Sequence, residues 1–501
     1  GLPPSLIFAG KDEVLLDDSR RMHNKLVSSG CTSELVEAEG MWHAYVLYCI
    51  KERACDLDRI NAFLNRFLSH ERKLRWMRLD NAAKIYPAAK RRKWNNFFRL
   101  SATLCDEVDK TVLRNAMDVT MRRFPSIAVR LCRGAFWYYL EELSSAPEIT
   151  DEKSWPLAHT PFESINECAL RVIVYKNRIA VEFYHALTDG TGGMVFLKSL
   201  LAEYIEQKYG VEIPNECGVL DRLTQPQEEE LEDSFSKNAG SVSVSRNAST
   251  AFKIHYTPER DDFRHLTTFI LDSNAALAAA KSCGVSLTVY LTSAMLLALQ
   301  RIQDEQTPDK RRQKPIRVVV PVNLRRLFPS RTLRNFVHVI MPEIDPRMGD
   351  YEFSEILTSV KHQLGLLVTK KNLCAMFTPN VNAERSPLLR VMPLFLKNIA
   401  MKLVYDTVGE RTNCLNLSNL GDIKVPDAMR RYVTRFDFIL GVQATKPNNC
   451  GVLSYNGKLY MNFIRNTVEP VLEFQFYQVL RELGLHVKVE SNGAGNVLIP
   501  N

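Results

Sequence analysis

A chain of 501 residues exceeds what one ordinary hydrophobic core spans, so its length implies two to four domains or lobes. With 46% hydrophobic and 24% charged residues it has the composition of a soluble globular protein, which excludes a disordered or fibrous chain. The formal net charge of +8 is a mild excess, spread along the sequence, and gives no ground for nucleic acid as a partner.

No stretch has the length and purity of a transmembrane segment; LTVYLTSAMLLAL (287–299) is too short and carries Thr and Ser. The opening GLPPSLIFAG has no basic leader and no initiator Met, which suggests a chain cut from something longer. Eleven cysteines are scattered without a CxxC pair or a His/Cys cluster, so free thiols, a cytoplasmic setting and no metal site are expected.

Residues 1–70 read as strand, helix, strand, helix. SLIFAG (5–10) is a short strand, 17–30 an amphipathic helix closed by Gly30, SELVEAEG (33–40) an alternating strand, and 52–70 a second helix. Two strands around a helix of this length form a parallel α/β unit. A charged connector follows at 71–84, and then KRRK (90–93). That basic run could grip phosphates or a membrane surface, although single charge runs are more often solvated.

Beyond it come a helix at 107–123, stopped by Pro125, and a hairpin over 171–186 turning at Lys176–Asn177. Met194, Leu197, Leu201 and Ile205 share one face of a helix at 191–210. From Pro214 to about Ser249 the sequence turns acidic and then Ser/Asn-rich, as a crossover linker does. The rest alternates between helices (274–302, 353–370, 387–406, 469–483) and strands (316–322, 335–344, 415–421, a pair about Asn456–Gly457, and 487–492). Two mixed lobes of comparable size are the expectation.

Two constellations carry chemistry. GKDEVLLDD (10–18) and EGMWHAY (39–45) place an acid and a histidine on the loops after successive parallel strands, as a Ser-His-acid system requires. These loops resemble the closing part of an α/β-hydrolase of the hormone-sensitive-lipase type. The resemblance implies Asp12 as the acid and His43 as the base. No G-x-S-x-G occurs in the chain, so residues 1–70 are expected to be the C-terminal fragment of a hydrolase domain, without activity by themselves.

The second is FYHALTDGTGG (183–193), where a hairpin strand delivers His185 to the sheet end and a glycine-rich turn launches a helix. A histidine there can take a proton from an alcohol as the oxygen attacks a thioester, which is already activated and needs no covalent enzyme intermediate. A core histidine, with Asp189 as a helix N-cap, is the structural alternative.

HALTDG on a strand-to-helix joint resembles the CoA-dependent acyltransferase superfamily, which includes BAHD acyltransferases, chloramphenicol acetyltransferase, polyketide-associated acyltransferases and condensation domains. The resemblance covers about 84–492, with KIYP, VVPVNLRRLFP (319–329), NFV (335–337), LSNLG (417–421) and VKVESN in the same order. It is strongest for alcohol acetyltransferase-like proteins. It implies a two-lobed chloramphenicol-acetyltransferase-like fold, α/β and α+β in class, with a partial α/β-hydrolase unit at its N-terminus. It further implies His185 as general base and Gly190 within the motif. Asp189 becomes a structural anchor held by Arg325, with Arg326 as a rival, and Ser418 and Asn419 line a tunnel between the lobes. The plant-type DFGWG signature is absent; DFILG (437–441) keeps only part of it.

These readings divide the chain into a hydrolase fragment (1–70), a linker (71–84), an N-terminal lobe (85–225), an acidic, Ser-rich crossover (226–250), a C-terminal lobe (251–492) and a tail (493–501). The expected activity is transfer of an acyl group from acyl-CoA, a co-substrate and not a bound cofactor, to a small alcohol. A condensation-type domain using a carrier-bound donor, esterase activity in a longer gene product, and a catalytically silent binding protein stand as alternatives.

Overall fold

The computed structural model describes residues 4–493 apart from 49, 52, 68–73, 89–95, 160, 245–248, 261 and 444–445. KRRK (90–93) therefore lies outside the described residues. The chain divides into two compact units, Gly1–Leu74 and Arg75–Asn501.

In the small unit, strand Ser5–Gly10 pairs in parallel with Ser33–Ala38, with Ser5 opposite Ser33 and Gly10 opposite Ala38. Helix Leu16–Ser28 connects them, and Gly30 takes the left-handed conformation (φ +74°) just past its end. Helix Arg53–Phe67 follows. Within this unit, most residues of both strands stay half-exposed, although parallel strands are ordinarily covered on both faces.

The large unit holds two principal sheets. In the first, the strand order is Val433–Ile439, Phe97–Leu104, Arg178–Tyr184, Leu170–Tyr175, Ile149–Asp151. The expected hairpin over 171–186 is present, with Leu170 opposite Phe183 and Tyr175 opposite Arg178. Helix Gly190–Tyr209 lies on one face of this sheet, so close that a Cβ on Gly193 would sit 3.1 to 3.3 Å from Leu100, Phe183 and Phe98.

The second sheet runs Val337–Ile340, Ile316–Asn323, Leu415–Asp422, Asn448–Tyr455, Lys458–Arg465, His265–Asp272, Lys488–Ser491, with Glu343–Ile344 against Ile316–Asn323. Its core includes the mostly buried helix Leu287–Gln306. No single helix among the described residues is long and apolar enough to cross a membrane. All ten described cysteines are free.

Several expectations change, among them the helix over 387–406, which is two, Pro387–Val391 and Leu394–Val404, and the strand over 335–344, which is Val337–Ile340 and Glu343–Ile344. The reading of 71–84 as a linker gives way to structure: Trp76–Arg78 is a strand paired with Tyr138–Glu142, and Asp80 is fully buried. The reading of 226–250 as a linker also changes, since Glu228–Leu231 and Ser234–Asn238 are short helices, with Glu230 bound to Arg123 by two hydrogen bonds of 2.6 and 2.7 Å. The lobes are not contiguous in sequence, because Val433–Ile439, read as part of 251–492, joins the first sheet beside Phe97–Leu104. The helix expected over 274–302 is two, Ser273–Ser282 and Leu287–Gln306, broken at Gly284 (φ +67°) and restarted by Ser286, whose hydroxyl caps Val289 N.

Candidate functional site

Strand Arg178–Tyr184 ends one residue before His185, whose backbone N–H donates to Asn96 O at 2.7 Å. The strand therefore holds the backbone while the ring leaves the sheet. The imidazole stacks on Tyr86, with centroids 4.7 Å apart and planes at 19°, and meets Phe98 edge-on at 5.1 Å. Its Nδ1 lies 3.2 Å from Asn335 Oδ1, and Asn335 Nδ2 donates to His185 O at 3.0 Å. Burial lowers the imidazole pKa below its usual value, against smaller upward pulls from a hydrogen bond to its own carbonyl, from Asp189 and from Asn335. A half-buried, neutral imidazole is suited to accept a proton.

Asp189 combines both roles that its position in the sequence allowed. Its Oδ1 accepts from Thr191 N (3.1 Å) and Gly192 N (3.0 Å), capping helix Gly190–Tyr209. Its Oδ2 accepts from Arg325 Nη1 and Phe336 N, each at 2.8 Å. Arg325 is fixed in turn by Thr332 O (2.8 Å) and Arg334 O (2.5 Å). Arg326 is exposed and takes no part. Every oxygen of this carboxylate is committed, so Asp189 anchors the turn and is not the partner of the imidazole.

The glycines serve close approach. A Cβ on Gly190 would lie 2.8 Å from Leu420 Cδ2, and one on Gly192 would lie 2.1 Å from Leu333 O. Leu420 brings strand Leu415–Asp422 against the start of the helix, and Ser418 and Asn419 belong to that strand. Asn419 is spent locally: Nδ2 donates to Thr288 Oγ1 (3.2 Å) and Oδ1 accepts from Gly421 N (2.8 Å). The Ser418 hydroxyl makes no hydrogen bond among the described residues. A cavity of about 590 Å³ lies elsewhere, lined by Arg435, Tyr460, Arg481, His486 and Lys488 among others, and includes none of these residues; the site is defined by its polar geometry.

In the small unit the histidine meets a different acid from the one expected. His43 Nδ1 is 3.2 Å from Glu13 Oε2, whose side chain is 4% exposed. Asp12 points to solvent, its backbone N–H donating to Met41 O at 3.2 Å. The turn after Ser5–Gly10 is the cause. Gly10 packs on the Met41 carbonyl, where a Cβ would sit 2.1 Å away, and the next inward side chain is Glu13. The sequence offers both acids side by side without a period to choose between them.

Three residues at the site carry no role in the sequence reading. Tyr86 lies in KIYP and Asn335 opens NFV, both noticeable only as parts of their motifs; Asp80, behind Asn335, falls in the expected connector. Both anchoring contacts join segments about 150 residues apart, which no local pattern reports.

No family model matches the sequence, and no curated protein matches it. Solved structures do match. The first condensation domain of the calcium-dependent antibiotic synthetase aligns with a TM-score of 0.53 at 13% identity, covering 82% of this chain and 96% of that one. Polyketide synthase associated protein 5 from Mycobacterium tuberculosis aligns with a TM-score of 0.50 at 13% identity, over 81% of this chain and 95% of the other. The starter condensation domain of rhizomide synthetase, solved with C8-CoA and Leu-SNAC, aligns with a TM-score of 0.50 at 11% identity, over 81% and 93%. The chain therefore carries the two-lobed, chloramphenicol-acetyltransferase-like fold that condensation domains share.

Proposed function

We propose that this chain is an acyl-CoA-dependent O-acyltransferase that uses His185 as general base. The observation that carries the reading is the imidazole at the end of Arg178–Tyr184, held through Nδ1 while the Asp189–Arg325 pair locks the turn behind it; burial, by lowering its pKa, favours the neutral ring. In the proposed reaction the acceptor hydroxyl gives its proton to Nε2 as its oxygen attacks the thioester carbonyl. Collapse of the tetrahedral intermediate breaks the C–S bond, and the imidazolium returns the proton to the departing thiolate. Ser418, whose hydroxyl is uncommitted, is the proposed oxyanion donor in preference to Asn419, whose amide is spent on Thr288 and Gly421. A donor of the CoA class is supported by the C8-CoA bound to the rhizomide synthetase domain.

A carrier-bound donor is the second reading, favoured by the condensation domains among the matching folds. Acetyl- and octanoyl-CoA with a panel of small alcohols should release free thiol. Turnover only with a loaded carrier protein would favour the second reading, and no turnover with either a binding role. His185→Ala should lose about 10² to 10⁴ of the rate; retention within tenfold removes the base assignment. The small unit is proposed to be the end of a hydrolase domain, with Glu13 and His43 as its acid and base. Esterase activity would belong to a longer product that supplies a nucleophile.

A further inference from the structure

The groups that hold the His185 ring extend into the stretch before the first lobe. Asp80 is 0% exposed and Asn335 3% exposed. Asp80 Oδ1 accepts from Ala83 N at 2.7 Å, and Oδ2 faces both Asn335 N and Asn335 Nδ2 at 3.4 Å and Arg334 Nε at 3.7 Å. The Asn335 amide group thus has two acceptors on its nitrogen side: the Asp80 carboxylate and the His185 carbonyl, the latter at 3.0 Å.

An ionised carboxylate and a backbone carbonyl can only accept hydrogen bonds. They therefore fix which way the Asn335 amide points: NH₂ toward them, Oδ1 toward the ring. Oδ1 is also acceptor-only, so the ring atom 3.2 Å from it, Nδ1, must carry the hydrogen. Nε2 is left with a lone pair. A flipped amide would donate to Nδ1, move the proton to Nε2 and abolish the base, and it would set Oδ1 against the carboxylate.

We propose that Asp80 and Asn335 form a relay that sets the His185 tautomer, Asn335 by direct contact and Asp80 as a positioning residue behind it. The relay rests on the reading of His185 as general base. It is an amide-bridged counterpart of the acid that orients the histidine in a Ser-His-acid triad, with the carboxylate displaced by one residue.

The test uses the full chain. Nitrogen-15 NMR of the histidine side chains, with His185 assigned by its loss in His185→Gln, should show Nδ1 protonated and Nε2 unprotonated at neutral pH. A wild-type ring protonated at Nε2 overturns the proposal whatever the other variants do. Asp80→Asn and Asn335→Ala should each shift population toward the other tautomer and lower kcat about tenfold or more, with KM within about twofold. Wild-type kcat and tautomer in both variants, beside an inactive His185→Ala, would sink the relay and leave the base intact. Activity retained in His185→Ala would sink the base reading, while the ring's tautomer would still decide whether the relay exists.

Discussion

The site places one neutral imidazole and one ionised acid within a single hydrogen-bonded chain, and burial shifts the two in opposite directions. His185 is pushed down because charging a buried ring costs solvation. Asp80 is pushed up to about 6, burial and nearby Asp233 outweighing Arg334 and the Ala83 N–H. For the histidine, the unprotonated ring that the proposed base needs is lost only as pH falls through a value below 6.5. The acid limb of kcat/KM should therefore lie below that of an exposed histidine, and a half-maximal rate above pH 7 would contradict it. For Asp80 the sign is worked from the raised folded pKa. Its contribution to stability is complete below the unfolded value near 3.8 and is lost as pH rises through about 6. A rise of that size corresponds to roughly 3 kcal/mol. Urea unfolding from pH 4 to 7.5 should show Asp80→Asn gaining stability relative to wild type across that window. A pH-independent difference would mean that burial leaves the Asp80 carboxyl at its ordinary pKa. His185, Asp189 and Arg325 were legible because they lie in compact motifs. Asp80 and Asn335 were not, since their meaning lies in a contact spanning 255 residues.

At the scale of elements, the turn from Arg178–Tyr184 into helix Gly190–Tyr209 works because its glycines let backbone from the second lobe approach. Thr188 Oγ1 donates to Leu333 O at 2.6 Å, and the same carbonyl occupies the space that a Gly192 side chain would need. Gly192→Ala must displace backbone and not a flexible side chain, so it should lower stability and activity together. Gly210→Ala costs strain in the left-handed region but meets no atom within 4 Å. The ion pair at this joint is buried, with Asp189 at 2% and Arg325 at 13% side-chain exposure. Arg325→Ala leaves a buried carboxylate short of its strongest partner and should cost about 3 to 5 kcal/mol, measured by chemical unfolding. A loss below about 1 kcal/mol would show that the helix cap and the Phe336 N–H hold Asp189 without Arg325. The hairpin was legible from its alternation, and this helix from the glycine-rich turn before it and the Gly210 stop after it, since it is buried on most of its sides. Phe97–Leu104 was passed over although Arg99, Ser101 and Thr103 alternate with Phe98, Leu100, Ala102 and Leu104; seven of its eight residues are buried, the polar Arg99 and Ser101 among them. Val433–Ile439 hid for another reason: Arg435 and Asp437 pair with each other at 2.7 Å, so charged residues occupy a strand interior.

Across the whole molecule, the two lobes are tied together by chain exchange as well as by contact. Val433–Ile439 leaves the second-lobe succession to become the edge strand of the first sheet, and Trp76–Arg78 and Asp80 tie the start of the large unit to both lobes, pairing with Tyr138–Glu142 and facing Asn335. The order of motifs in sequence conveyed the fold but not this exchange, which depends on strand partners chosen at long range. The same scale separates the two histidine constellations. His43 meets Glu13 within Gly1–Leu74, whereas His185 meets Asn335 and Asp189 meets Arg325 within Arg75–Asn501. In the proposed reading, an acid–base pair without a nucleophile can orient a proton but has nothing to acylate, whereas the reaction proposed for the His185 constellation needs only an activated thioester and an alcohol. Glu13→Gln and His43→Ala should therefore leave thiol release from acyl-CoA within about twofold of wild type, while His185→Ala removes it. Loss of thiol release in His43→Ala, with folding intact by circular dichroism, would mean that the small unit contributes to acyl transfer and that the two constellations form one catalytic system.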